Sequence, residues 1–331
     1  MLRAPLAVTL GDPAGVGPEI IAAAWRSARL EDPPFVVFGD HGALAAAGAP
    51  VAQVQSPGEA AGVFARAIPL VDMPLPVPVQ PGQPDPVAGP AIAGWIAAAT
   101  QACLTGEASA LVTAPISKAV LKASGFRHPG HTEFIGDLTA HAAWEGERGP
   151  VMMLAAADLR VPLVTVHLPL SQAPGALTVE GILRTARVTA QSLARDFGIS
   201  RPRLAMAALN PHAGESGEMG REEITLLRPA AETLRAEGID VAGPLPADSL
   251  FAPEIRQRFD AVVCMYHDQA LIPVKMLDFW GGVNLTLGLP VVRTSPDHGV
   301  AFDIAGKGLA RPDSFIAALA AAAAIASRRA S

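Results

Sequence analysis

Short runs of consecutive apolar residues alternate along the chain with longer stretches whose apolar positions recur at helical spacing. Leu6–Leu10, Phe35–Phe38, Ala110–Thr113, Val161–His167, Leu204–Leu209 and Ala261–Tyr266 predict buried strands. Pro18–Arg29, Ala91–Thr105, Ile116–Ser124, Thr178–Phe197, Arg221–Glu237 and Ser314–Ser327 are alanine-rich with helical period and predict helices. The alternation is that of an α/β protein with a largely parallel sheet. Such sheets collect ligand-binding groups beyond the carboxyl ends of their strands, so the chemistry is expected there. Asp72–Pro90 is dense in proline and reads as a surface loop within one domain rather than a linker. No internal repeat is visible, which excludes solenoids and propellers.

Composition narrows the class. The 331 residues suffice for two domains, and 50% hydrophobic against 17% charged residues is the reverse of the disorder signature. A net charge of −6 argues against nucleic acid or an anionic membrane as partner. Cys103 and Cys264 lie far apart in apolar sequence and read as free thiols, not as a disulfide or a cysteine zinc site. The longest apolar block, Phe315–Ala326, is shorter than the roughly 20 residues of a membrane span, and a reducing cytoplasm is the expected compartment.

Three segments share one design, a strand that ends at or near a histidine: His167 after Val164-Thr-Val, His212 in Asn210-Pro-His-Ala-Gly-Glu215, and His267 in Tyr266-His-Asp-Gln269. Each alone reads first as a structural histidine and only second as a ligand. Together they allow a three-imidazole site for a divalent cation with open positions. A second cluster, Gly130-His131-Thr132-Glu133, follows Lys118 and Lys122 and opens a helical pattern, with Thr132 the expected N-cap; a helix N-terminus also suits a phosphate. Lys275, Asn284 and Arg293 add cationic and amide donors of the kind a phosphorylated substrate needs. The glycine-rich turn Gly11–Glu19 fails the dinucleotide fingerprint because Ile20 stands where the third glycine belongs.

These residues, in this order, resemble the 4-hydroxythreonine-4-phosphate dehydrogenases of vitamin B6 biosynthesis. The matching segments are Thr9–Glu19, Leu111–Lys118, Gly130–Glu133, Asn210–Glu215, Tyr266–Gln269 and Gly282–Pro290. Asp297–Gly308 is similar to the cofactor loop of isopropylmalate and isocitrate dehydrogenases, whose two-domain α/β/α fold the family shares. The resemblance implies a first domain of residues 1–130 with 285–331 on the cofactor side, a second of residues 131–284, and an active site in the cleft between them near a dimer interface. It implies His167, His212 and His267 as ligands of one divalent ion (zinc, cobalt or magnesium), with His267 supplied across a homodimer interface. Substrate contacts fall on His131, Thr132, Asp248, Lys275, Asn284 and Arg293. NAD, with NADP as the alternative, falls on His298, Gly299, Asp303 and Gly306. Ala114 and Ser117 depart from the family pattern, as does the Lys275–Gly282 stretch.

The reaction implied is oxidation of the C3 hydroxyl of 4-phosphohydroxy-L-threonine, then decarboxylation to 3-amino-2-oxopropyl phosphate. Asp268 and Lys118 are both candidates for the general base. The rivals are a related dehydrogenase of 4-phospho-threonate or -erythronate or of an aromatic dihydrodiol, a metal-dependent hydrolase, and a sugar-phosphate-binding module. The Lys275 and Arg293 pair counts against the phosphate-free dihydrodiol.

Overall fold

The computed structural model describes residues 4–29 and 32–330. Its strands are β1 Leu6–Thr9, β2 Phe35–Gly39, β3 Val51–Gln53, β4 Ile68–Asp72, β5 Ala110–Thr113, β6 Val151–Ala156, β7 Leu159–Pro162, β8 Arg203–Ala207, β9 Asp240–Leu245, β10 Ala261–Val263, β11 Val283–Leu287 and β12 Arg293–Pro296. The α-helices of five or more residues are α1 Gly17–Ser27, α2 His41–Ala45, α3 Gly89–Leu104, α4 Lys118–Ala123, α5 His131–Leu138, α6 Val179–Phe197, α7 Arg228–Ala236, α8 His267–Leu277 and α9 Asp313–Arg329. The chain divides into two compact units, Met1–Ala143 with Leu289–Ser331, and Trp144–Gly288.

In the first unit the strands run in the order β3-β4-β2-β1-β5-β12, all parallel. Strands β1, β2 and β5 are buried along their whole length, as continuous apolar runs in a parallel sheet must be. Helix α1 starts with Pro18 in its first turn and carries Glu19 there and Arg26 in its last, all favourable to the helix dipole or to entry geometry. Helix α3 buries Ile92, Trp95, Ile96 and Ala99, one stripe at helical spacing. The stretch Pro86–Leu104 has the length and apolarity of a membrane span, but that stripe belongs to the core of this unit. Strand β12 is held to the C-terminal helix α9 through Thr294 Oγ1, which donates to Ala318 O at 2.8 Å.

The second unit is mixed, not parallel throughout. Strands β11, β6 and β7 pair antiparallel, and β10-β8-β9 form a separate parallel sheet. Along β8 the pleat alternates strictly: Leu204 and Met206 enter one core with Leu183, Leu193, Leu234 and Val263, while Ala205 and Ala207 enter another with Val161, Val262, Ala270 and Val274. Helix α6 begins on Thr178, whose Oγ1 accepts from Gly181 N, and stops at Gly198, which adopts φ 72°. The expected strand Val161–His167 ends early. After Pro162 the regular strand gives way to a single bridge, Leu163 to Cys264, although Val164 N and Thr165 N still donate to Cys264 O and Met265 O at 2.9 and 3.2 Å. The expected helix Arg221–Glu237 is interrupted by a π turn over Glu223–Leu227 before α7 begins.

Candidate active site

The first unit gathers a cationic cluster at the start of α5. Gly130, not Thr132, is the N-cap of that helix, without a side-chain cap bond, so His131 and Thr132 occupy its first turn. A Cβ at Gly130 would lie 3.5 Å from Lys118 Cε, which sets that lysine beside the helix start. Arg293, at the start of β12 and 3% exposed, donates from Nη2 to Thr113 Oγ1 at 2.7 Å. Burial pushes its guanidinium down to about 10, with Glu133 pulling the other way. His131 is held well below the usual histidine range, first by burial and then by the charges of Arg293 and Lys118. Its Nε2 is buried and has no hydrogen-bond partner among the described residues. An imidazole with a lowered pKa, a buried guanidinium and the N-terminal turn of a helix are the chemistry that suits an anion.

Beside it, Asp12 caps its own turn. Its Oδ1 accepts from Ala14 N at 3.0 Å, and burial raises its pKa despite backbone donors at Ala14 and Ser117. Gly11, at φ 78°, leaves room only for hydrogen, since a Cβ would stand 2.6 Å from Pro115 O.

The second unit holds the histidines. The His167 and His267 rings lie 5.6 Å apart between centroids within the one chain. His267 Nδ1 meets Asp268 Oδ1 at 2.7 Å, the arrangement that fixes a ring and leaves Nε2 for a cation. This donor chemistry fits two positions of a divalent site. His212 sits in an exposed turn, and among the described residues no three His, Cys, Asp or Glu side chains of one chain gather as a ligand set. Lys275 lies over the Phe279 ring at 5.1 Å and donates to Phe279 O at 3.3 Å. Asn284 Oδ1, on β11, is buried with no hydrogen-bond partner among the described residues. Asp248 is exposed and accepts from Ser249 N.

The family described as "Pyridoxal phosphate biosynthetic protein PdxA" matches residues 31–322. A curated "4-hydroxythreonine-4-phosphate dehydrogenase" of Caulobacter vibrioides is 61% identical over 331 residues, covering 99% of each chain. The chain belongs to the PdxA family. A crystal structure of a family member of that name from Klebsiella pneumoniae superposes with TM-score 0.87 at 39% identity, covering 98% of each chain. A "Terephthalate 1,2-cis-dihydrodioldehydrogenase" from Burkholderia xenovorans LB400 superposes with TM-score 0.62 at 32% identity, covering 97% of this chain and 98% of that one.

Two features of this PdxA-family chain were missed in the sequence reading. Gln269, 7% exposed, accepts from Met265 N and donates to Ala208 O, each at 2.7 Å, tying the His267 turn to the end of β8. Its place directly after the Tyr266-His-Asp segment was the available signal. The other is Glu223, which no motif singles out within the expected helix Arg221–Glu237.

A cavity of about 360 Å³ opens in the first unit among Pro13, Pro18, Glu19, Ala43, Val79 and Gly306. It contains no lysine or arginine, and of the expected cofactor residues only Gly306 lines it. Glu19 Oε2 is buried without a hydrogen-bond partner, while its Oε1 accepts weakly from Gly308 N at 3.4 Å. His298 Nδ1 faces Gly299 O, and Asp303 O accepts from Lys307 Nζ. The apolar walls and the spare acceptor fit the adenosine half of a nicotinamide dinucleotide.

Proposed function

We propose that the chain is an NAD-dependent dehydrogenase that oxidises the C3 hydroxyl of 4-phosphohydroxy-L-threonine and releases carbon dioxide to give 3-amino-2-oxopropyl phosphate, in pyridoxal phosphate biosynthesis. The observation that carries this reading is the buried Arg293 beside neutral His131 at the start of α5. A buried guanidinium beside an imidazole whose Nε2 has no partner among the described residues suits an anion, and a phosphate remote from the reacting carbon supplies one while orienting the substrate. The full-length relative named for this substrate supports the same reading.

His131, Thr132 and Arg293 bind the phosphate, and Lys275, Asn284 and Asp248 contact the rest of the substrate. His167, His212 and His267 hold a divalent ion, zinc, cobalt or magnesium. When bound, the ion supplies Lewis acidity toward the hydroxyl and the nicotinamide accepts the hydride. Asp268 is engaged with His267 Nδ1 and acts as its orienting group. Lys118 is then the remaining candidate to take the hydroxyl proton, which its Nζ accepts only as the neutral amine. The adenosine half of NAD takes the cavity at Gly306, with His298, Gly299 and Asp303 on the adjoining loop; its lack of basic residues favours NAD over NADP.

A homodimer is part of the proposal. Ile272 (62% exposed) and Met276 (82%) stand on α8, the helix that His267 opens, and Phe279 and Trp280 follow it, all exposed. An apolar face of that kind is what a second copy covers. Both cysteines are free, which supports a cytoplasmic setting.

A second reading, oxidation of an aromatic cis-dihydrodiol, draws on the Burkholderia relative. The two separate by experiment. NADH formation is followed with 4-phosphohydroxy-L-threonine, with 4-phospho-threonate or -erythronate, and with a dihydrodiol, before and after chelation and metal add-back. Turnover of the first alone, lost on chelation and restored by a divalent ion, is expected. Turnover only of the dihydrodiol would overturn the phosphate assignment, and no NADH from any of them would overturn the dehydrogenase.

A further inference from the structure

We propose that Glu223 is the positioning residue of His212, its carboxyl group holding the left-handed turn from which that imidazole is presented. The inference rests on the divalent-ion reading above and adds to it a residue outside every matched motif. After β8 ends, His212, Ala213, Gly214, Glu215 and Ser216 all take positive φ, at 51°, 53°, 80°, 42° and 58°. Only one of the five is glycine, so the run is strained at four positions and persists only if its surroundings over-determine it.

The surroundings converge on one side chain. Glu223 is 1% exposed. Its Oε1 accepts from Leu209 N at 2.9 Å and from Asn210 N at 2.8 Å, and its Oε2 accepts from Asn210 Nδ2 at 2.9 Å. Asn210 Nδ2 also donates to Glu222 Oε2 at 2.7 Å. The two residues that launch the turn are therefore fixed by backbone and side chain to one carboxyl group. The far side of the turn closes on it too. A Cβ at Gly214 would lie 2.7 Å from Glu223 Oε2, and Met219 N returns to Gly214 O at 3.1 Å. Glu223 opens the π turn Glu223–Leu227, an inserted helical geometry that often marks a functional site.

The test is Co²⁺ binding by the full-length protein, followed by the visible absorption of the bound ion, with thermal unfolding recorded alongside. Glu223→Gln keeps the shape but sets an amide NH₂ against donors. It is expected to weaken Co²⁺ binding about 10- to 100-fold, and adding it to His212→Ala is expected to weaken binding no further than His212→Ala alone. Wild-type binding by Glu223→Gln, or losses that multiply in the double variant, would overturn the proposal while His212→Ala and His167→Ala still show the ion site. Loss of neither on His212→Ala nor on His167→Ala would instead overturn the ion reading, and this proposal with it. If Glu223→Gln does not fold, Asn210→Ala, which removes the Nδ2 bonds to Glu223 Oε2 and Glu222 Oε2 and keeps both backbone bonds to Glu223 Oε1, is expected to give a smaller loss of the same kind, and unchanged binding there overturns the proposal equally.

Discussion

Arg293 Nη2 donates to Thr113 Oγ1 at 2.7 Å, so the guanidinium at the head of one strand is oriented by a hydroxyl at the tail of its parallel neighbour. Both side chains are buried. Thr113→Val preserves shape and removes only the acceptor, leaving a charged donor unsatisfied. It is expected to cost about 1–3 kcal/mol in denaturant unfolding. Arg293→Lys keeps charge but loses the planar fork, and is expected to raise KM for the phosphorylated substrate at least about tenfold with a smaller change in kcat. Equal losses in kcat and KM would argue against a phosphate contact.

His131 sets a pH dependence whose sign follows from its shift. Its folded-state pKa lies well below the ordinary 6.5, mainly through burial. Between the two values the unfolded chain binds more protons than the folded one, so stability is full above about pH 6.5 and falls as the pH drops below it. His131→Asn is expected to flatten that acid slope, measured as unfolding midpoints between about pH 8 and pH 5.

Gln269 joins two strand ends by one donor and one acceptor. Gln269→Leu strands Met265 N and Ala208 O together, and is expected to destabilise by about 2–4 kcal/mol on urea unfolding. Gln269→Glu retains the acceptor toward Met265 N but sets a buried carboxylate oxygen against Ala208 O, so it is expected to cost at least as much as Gln269→Leu.

Ala43 borders the cavity at Gly306. Ala43→Trp is expected to fill part of it and raise the Kd for NAD about tenfold or more by calorimetry, with ADP-ribose affected in parallel. Unchanged affinity would remove the cavity from the cofactor site.

The elements that read clearly from the sequence are those whose local pattern and final burial agree. Phe35-Val-Val-Phe38 is apolar throughout and becomes a fully buried parallel strand. The helix near Thr178–Phe197 combines a cap, a regular stripe and a terminal glycine. Strand β4 was overlooked because Pro69 interrupts its pattern, and β9 because Gly243 and Pro244 do. The regular strand before His167 is shorter than the apolar run predicts, since beyond Leu163 the segment keeps single bonds to Cys264 O and Met265 O without a regular ladder. At the site, histidines and cations announced themselves by type. Glu223 did not, because its partners Leu209 and Asn210 lie more than ten residues away in sequence and nothing in the one-dimensional period brings them together. Thr132 is not the cap because the helix starts two residues earlier, on Gly130.

The first unit takes its central strands from the beginning of the chain and β12 from residues 293–296, whereas the second is one uninterrupted stretch, Trp144–Gly288. During synthesis on the ribosome, β5 can pair with β1 but waits without β12 while the whole second unit emerges. The later-made unit can finish folding before the earlier one, and the cluster around Arg293 is assembled only when nearly all of the protein has left the exit tunnel.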